Sequence, residues 1–168
     1  MKAESFHPCL SFFLLGWVLF LPGCKKGPYP GDPVEAARKV SFEGAPRLLL
    51  DERLTSPQRA RVVTILAARF GARAVPWVRK ALKTYPVRTW PDRSLAARAL
   101  RAAGKDRGAR ALLLGCLADR TDPDLRAEAA STLRNFLPDT AVRRALEETA
   151  AKDPSPEVRK AAERALGK

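Results

Sequence analysis

The chain has 168 residues, enough for one domain of ordinary size, and carries 31 Lys and Arg against 18 Asp and Glu, a net charge of +13. So basic a chain suits anionic partners: nucleic acid, a lipid surface or an acidic protein. A single histidine, His7, and three cysteines, Cys9, Cys24 and Cys116, leave little material for metal or thiol chemistry.

The first feature in chain order is the stretch from Leu10 to Leu21, LSFFLLGWVLFL, an apolar run without a charge. A bilayer span needs about 20 apolar residues, whereas the core of a signal peptide needs roughly 7–15. The run is too short for the first and fits the second. It is therefore read as a signal peptide, with Lys2 offset by Glu4 ahead of it. Ordinary signal peptidase wants small residues one and three places before the cut, and a cut after Gly23 would put Leu21 in the outer of those places. Leu21-Pro22-Gly23-Cys24 instead resembles the lipobox of bacterial lipoproteins, with Pro22 where that family carries a small residue.

That resemblance implies lipidation of the Cys24 thiol and removal of residues 1–23, leaving 24–31 as a lipidated cysteine and a Pro/Gly spacer. Two or three acyl chains hold stably where one holds only marginally. Lys25 and Lys26 would add roughly 1 kcal/mol each near an anionic headgroup surface. The mature chain would have no histidine, and Cys116 would be its one free thiol. The expected location is the bacterial cell envelope. Lys25 is not the aspartate associated with inner-membrane retention, which points to the periplasmic face of an outer membrane where there is one, and otherwise to the outer face of the plasma membrane.

Residues 32–168 read as one helical-repeat domain. "RSLAARAL" from Arg93, "RAEAASTL" from Arg126 and "RKAAERAL" from Arg159 align at a spacing of 33, and "RARVVTIL" from Arg59 lies 34 earlier. Each copy places a small or β-branched residue three positions after the arginine (Val62, Ala96, Ala129, Ala162) and a leucine seven after it (Leu66, Leu100, Leu133, Leu166). Asp32-Pro33, Ser56-Pro57, Asp122-Pro123 and Ser155-Pro156 place a capping side chain before a proline, a helix start; Pro91-Asp92 does this less cleanly. Between these helices the apolar spacing predicts others at 44–54, 72–83, 109–119 and 141–152. A unit of helix, turn, helix cannot bury its apolar faces alone, whereas stacked units form a continuous core.

The run from Asp153 to Gly167, DPSPEVRKAAERALG, resembles the HEAT-like repeats also found in phycobilisome lyases, whose pattern is D-x-x-x-x-V-R-x-x-A-x-x-A-L-G. The copy from Asp122 to Leu133 matches less closely, and those at Arg93 and Arg59 are weaker. The resemblance covers roughly residues 44 to 168 and implies an all-α fold, an α-solenoid of about four HEAT-like helix pairs behind the signal peptide. It also implies that Arg59, Arg93, Arg126 and Arg159 sit at the turns between repeats, bonding turn carbonyls and carboxylates. The second helix of each pair would line the concave face.

Neither a catalytic nor a metal site is expected, and no cofactor. Cys116 lies in LLLGCLA and reads as a buried core thiol. Asp122, Asp124, Glu147 and Glu148 read as caps and solvated helix faces. The candidate contact residues are Arg98, Arg101, Arg134 and Arg164, which fall opposite the core positions and form either a basic stripe on the concave face or ordinary solvated surface. In the turn KTYPVRTWPDR, Tyr85, Arg88 and Trp90 have the chemistry of contact residues, although Trp90 equally suits packing under the next helix. The expected function is a non-enzymatic, lipid-anchored scaffold that binds an acidic or anionic protein partner. The alternative is a nucleic-acid-binding protein with the HEAT-like architecture of some DNA glycosylases, if the chain is not exported. A lyase-like or chaperone role rests on the shared repeats alone.

Overall fold

The computed structural model describes residues 31–84 and 92–168. The signal peptide, His7, Cys9, Cys24, and the contact candidates Tyr85, Arg88 and Trp90 lie outside the described residues. Among the described residues every regular element is helical: α1 (Pro33–Lys39), α2 (Ala45–Leu49), α3 (Ser56–Phe70), α4 (Val75–Thr84), α5 (Asp92–Ala99), α6 (Arg107–Leu117), α7 (Pro123–Leu133), α8 (Thr140–Lys152) and α9 (Pro156–Leu166). Short 3₁₀ turns follow α3 (Gly71–Ala74), α5 (Leu100–Ala103) and α7 (Arg134–Phe136).

The helix starts follow local chemistry. Asp32, Asp122 and Ser155 each accept a backbone N–H of the first turn, with proline at the first helical position. α3 differs from expectation: Thr55, not Ser56, is its cap. The Thr55 backbone N–H donates to Gln58 Oε1 at 2.9 Å and its hydroxyl donates to the same oxygen at 3.0 Å. Asp106 and Asp139, both unnoticed in the sequence, cap α6 and α8.

The helix expected over 44–54 is only the five residues of α2. Asp51 ends it, because its carboxylate accepts the Arg53 N–H at 3.1 Å and its carbonyl accepts that of Leu54 at 3.1 Å, turning the chain away from the helix axis. At the other ends, Gly71 (φ +54°) ends α3 and Gly104 (φ +62°), one repeat on, ends the 3₁₀ turn after α5, each with a positive φ that a residue with a Cβ rarely adopts.

The helices form two rows. α1, α3, α5, α7 and α9 stack directly on one another, and α4, α6 and α8 pack across onto α5, α7 and α9. Ala96, Ala129, Ala162, Val62, Leu66, Leu100 and Leu133 are all buried at the contacts of the first row. Alanine at these places lets neighbouring backbones approach closely. Successive helices of the second row touch far less. A stack whose helices lie closer along one row than along the other curves toward the closer row, which makes the row of α1, α3, α5, α7 and α9 the inner one.

Candidate functional site: the inner face and its arginines

The repeated arginines lie at the turns, not on the inner face. Arg93 donates to Asp119 Oδ2 at 2.7 Å and to Asp122 Oδ2 at 3.3 Å, one repeat ahead. Arg126 donates through Nε and Nη2 to the two oxygens of Asp153 at 2.8 and 3.0 Å, and through Nη1 to the Asp119 carbonyl at 2.9 Å. Arg159 donates to the carbonyls of Asp153 at 2.7 Å and Pro154 at 3.3 Å. Arg59 lies within electrostatic reach of Asp51.

The acceptor turns share a design. Asp119 accepts the Thr121 N–H and Asp153 accepts the Ser155 N–H, each at 2.9 Å, so the same carboxylate shapes its own turn and holds the preceding repeat's arginine. Burial opposes ionisation of Asp119, but bonds from Thr121 and Arg93 outweigh it and hold its carboxyl down at about 2. Asp153 is likewise lowered: burial opposes, while Arg126 and the Ser155 N–H prevail. The Arg126 side chain is only 6% exposed and that of Asp153 only 8%. These groups are structural ties, occupied and covered.

The expected contact residues divide. Arg98 is not free. It forms a bidentate pair with Glu128 of α7, Nε to Oε1 at 2.9 Å and Nη2 to Oε2 at 2.6 Å. Arg101 and Arg134 stand in the 3₁₀ turns that follow α5 and α7, and Arg164 stands in the last turn of α9. The three line one cleft of about 420 Å³ with Ser131, Asn135, Ala161 and Ala165. Among the described residues no acidic one lines this cleft, and none of the three arginines has an ion-pair partner.

Nearer the N-terminus the same face holds a second depression of about 430 Å³, floored by Val34, Ala60, Ile65 and Leu95 and edged by Arg38 and Arg61. Among the described residues no acidic one lines this depression either. Arg38 bonds Glu35 along its own helix. Sequence reasoning missed Arg61, Asn135 and Glu128. The register of the repeat could have found Glu128, because its counterpart in the next copy is Ala161.

The remaining reactive group is sequestered. Cys116 is free and only 6% exposed, and burial pushes its thiol up to about 11 despite the nearby Arg93. It is protonated at neutral pH and a poor nucleophile. Among the described residues no group of three His, Cys, Asp or Glu is placed to hold a metal ion, and no helix is long and apolar enough to cross a membrane.

Two rows of stacked helix pairs, tied turn to turn by arginine–aspartate bonds, define an α-solenoid of repeats. The family model for HEAT repeats matches residues 87–167, so this stretch carries HEAT-like repeats. Such repeats suggest a protein-interaction scaffold. No curated protein and no solved structure matches the chain.

Proposed function

We propose that the chain is a non-enzymatic, lipid-anchored scaffold that docks an acidic protein partner on its inner face and holds it at a bacterial envelope membrane. The observation that carries the docking is the composition of the inner face. Its two depressions are edged by Arg38, Arg61, Arg101, Arg134 and Arg164, with no acidic residue among the described ones that line them. The anchor is supported by Leu21-Pro22-Gly23-Cys24 directly after a short apolar run.

The test joins location to capture. Cells expressing the chain are fed labelled palmitate, and the anchored protein is crosslinked and recovered with what it holds. The chain takes up label, Cys24→Ala abolishes it, and reversal of Arg101, Arg134 and Arg164 to glutamate abolishes partner capture. An unlabelled chain, or a Cys24→Ala variant as firmly membrane-bound as the wild type, refutes the anchor. Recovery of nucleic acid in place of protein refutes the docking reading.

A further inference from the structure

We infer that the Arg101–Arg134–Arg164 cleft is a carboxylate seat, which receives an acidic peptide segment of the partner with at least two Asp or Glu side chains. This rests on the scaffold reading and adds to it the chemistry of what is held.

The preceding repeat supplies the template. Between α5 and α7, Arg98 of one inner helix meets Glu128 of the next in a bidentate bond. Between α7 and α9, one repeat on, Ala161 takes the place of Glu128, Ser131 that of Arg98, and Arg134 that of Arg101. The internal carboxylate is gone, while the guanidiniums have become three. Each guanidinium carries five N–H donors in a planar fork that matches a carboxylate. Ser131 lines the cleft but spends its hydroxyl proton on the Ala127 carbonyl at 3.1 Å, so the arginines and the Asn135 amide are the donors available to a ligand.

The Arg98–Glu128 pair next to the cleft shows how such a fork takes a carboxylate, bonded side-on. Three guanidiniums without an ion-pair partner among the described residues need more than one. Alternate side chains of an extended peptide point the same way about 7 Å apart, so acidic residues two apart reach different arginines. Ala161 and Ala165, both buried and small, leave room for the peptide backbone to approach α9.

The probe is a fluorescein-labelled octaglutamate peptide, followed by anisotropy with the full chain in detergent. Because a chain of charge +13 attracts any polyanion, the comparison is between charge-matched variants. Arg101→Gln/Arg134→Gln/Arg164→Gln removes three charges from the cleft. Arg107→Gln/Arg143→Gln/Arg144→Gln removes three exposed charges from α6 and α8. The cleft variant weakens binding at least tenfold and the control less than twofold. Circular dichroism at 222 nm shows the cleft variant as helical as the wild type, so its loss of binding is not a loss of folding.

Equal weakening by the two triple variants overturns the inference. Inorganic phosphate that displaces the peptide at equimolar concentration overturns it too, by making the cleft a phosphate seat. The two readings fail separately. A cleft variant that still captures the cellular partner sinks the carboxylate seat and leaves the scaffold intact. A wild-type chain that captures no protein sinks the scaffold whatever the peptide does.

Discussion

Replacing Arg126 by methionine tests whether the turn-to-turn ties hold the repeats together. Methionine keeps much of the length of the side chain and removes the charge. It deprives Asp153 of two charge-assisted bonds and the Asp119 carbonyl of one. With the Asp153 side chain 8% exposed, an orphaned carboxylate there falls in the range of broken buried pairs, about 3–5 kcal/mol. Domains of this size hold roughly 5–15 kcal/mol in all, so the loss is a large fraction. Urea unfolding followed by circular dichroism at 222 nm measures it, and a thermal scan shows a midpoint lowered by about 10 °C.

The pH dependence is the sharper readout. In the wild type the folded-state pKa of Asp153 lies below its unfolded value near 3.9, so its contribution is present above that pH and is lost as pH falls below it. In the variant burial, which raises the Asp153 pKa, is opposed only by the Ser155 N–H and the charge of Arg159. Acid then costs the variant less than it costs the wild type. The gap between the two proteins therefore narrows from pH 7 toward pH 2.5. A gap below about 1 kcal/mol at pH 7, or one that is constant with pH, refutes the reasoning, because both are the behaviour of an exposed pair.

Thr132 is fully buried and its hydroxyl has no hydrogen-bond partner, so Thr132→Val, which keeps the shape and removes the orphaned group, stabilises by about 1 kcal/mol in the same urea titration; a loss of stability would show that the hydroxyl is bonded after all. The Cys116 thiol, buried and held protonated, resists Ellman's reagent at pH 8 in the folded chain and reacts fully in urea; rapid reaction without denaturant would contradict the packing of α6.

The repeat was legible because alanine and leucine recur at fixed offsets from each arginine, and burial at Ala96, Ala129, Ala162, Leu100 and Leu133 follows from that register. Proline-marked helix starts at Asp32, Asp122 and Ser155 were legible for the same local reason. The short α2 was not, since Asp51 competes for the backbone through a turn that the apolar pattern of 44–54 conceals. Of the contact candidates the sequence showed only a set of arginines. Which of them is neutralised depends on the neighbouring helix: Arg98 meets Glu128 of the following repeat, whereas Arg101, Arg134 and Arg164 line a cleft to which, among the described residues, no carboxylate contributes. The arginine–aspartate ties needed the same register. Asp119 closes the segment expected to be helical over 109–119 and carries no signal of its own in the sequence, yet it serves Arg93, Thr121 and the Arg126 guanidinium together.

Those ties also give the solenoid a direction. Arg93 reaches forward to Asp119, and Arg126 forward to Asp153, while each aspartate already shapes its own turn. Trimming pairs from the front would remove an arginine and leave a carboxylate that still has a backbone partner. Trimming from the rear would strand a buried guanidinium. A chain that emerges N-terminus first meets the same asymmetry, since each inner helix waits about one repeat for its acceptor. Docking of the repeats therefore lags emergence by one unit and proceeds from front to rear, a one-way zipper built from the ties between turns.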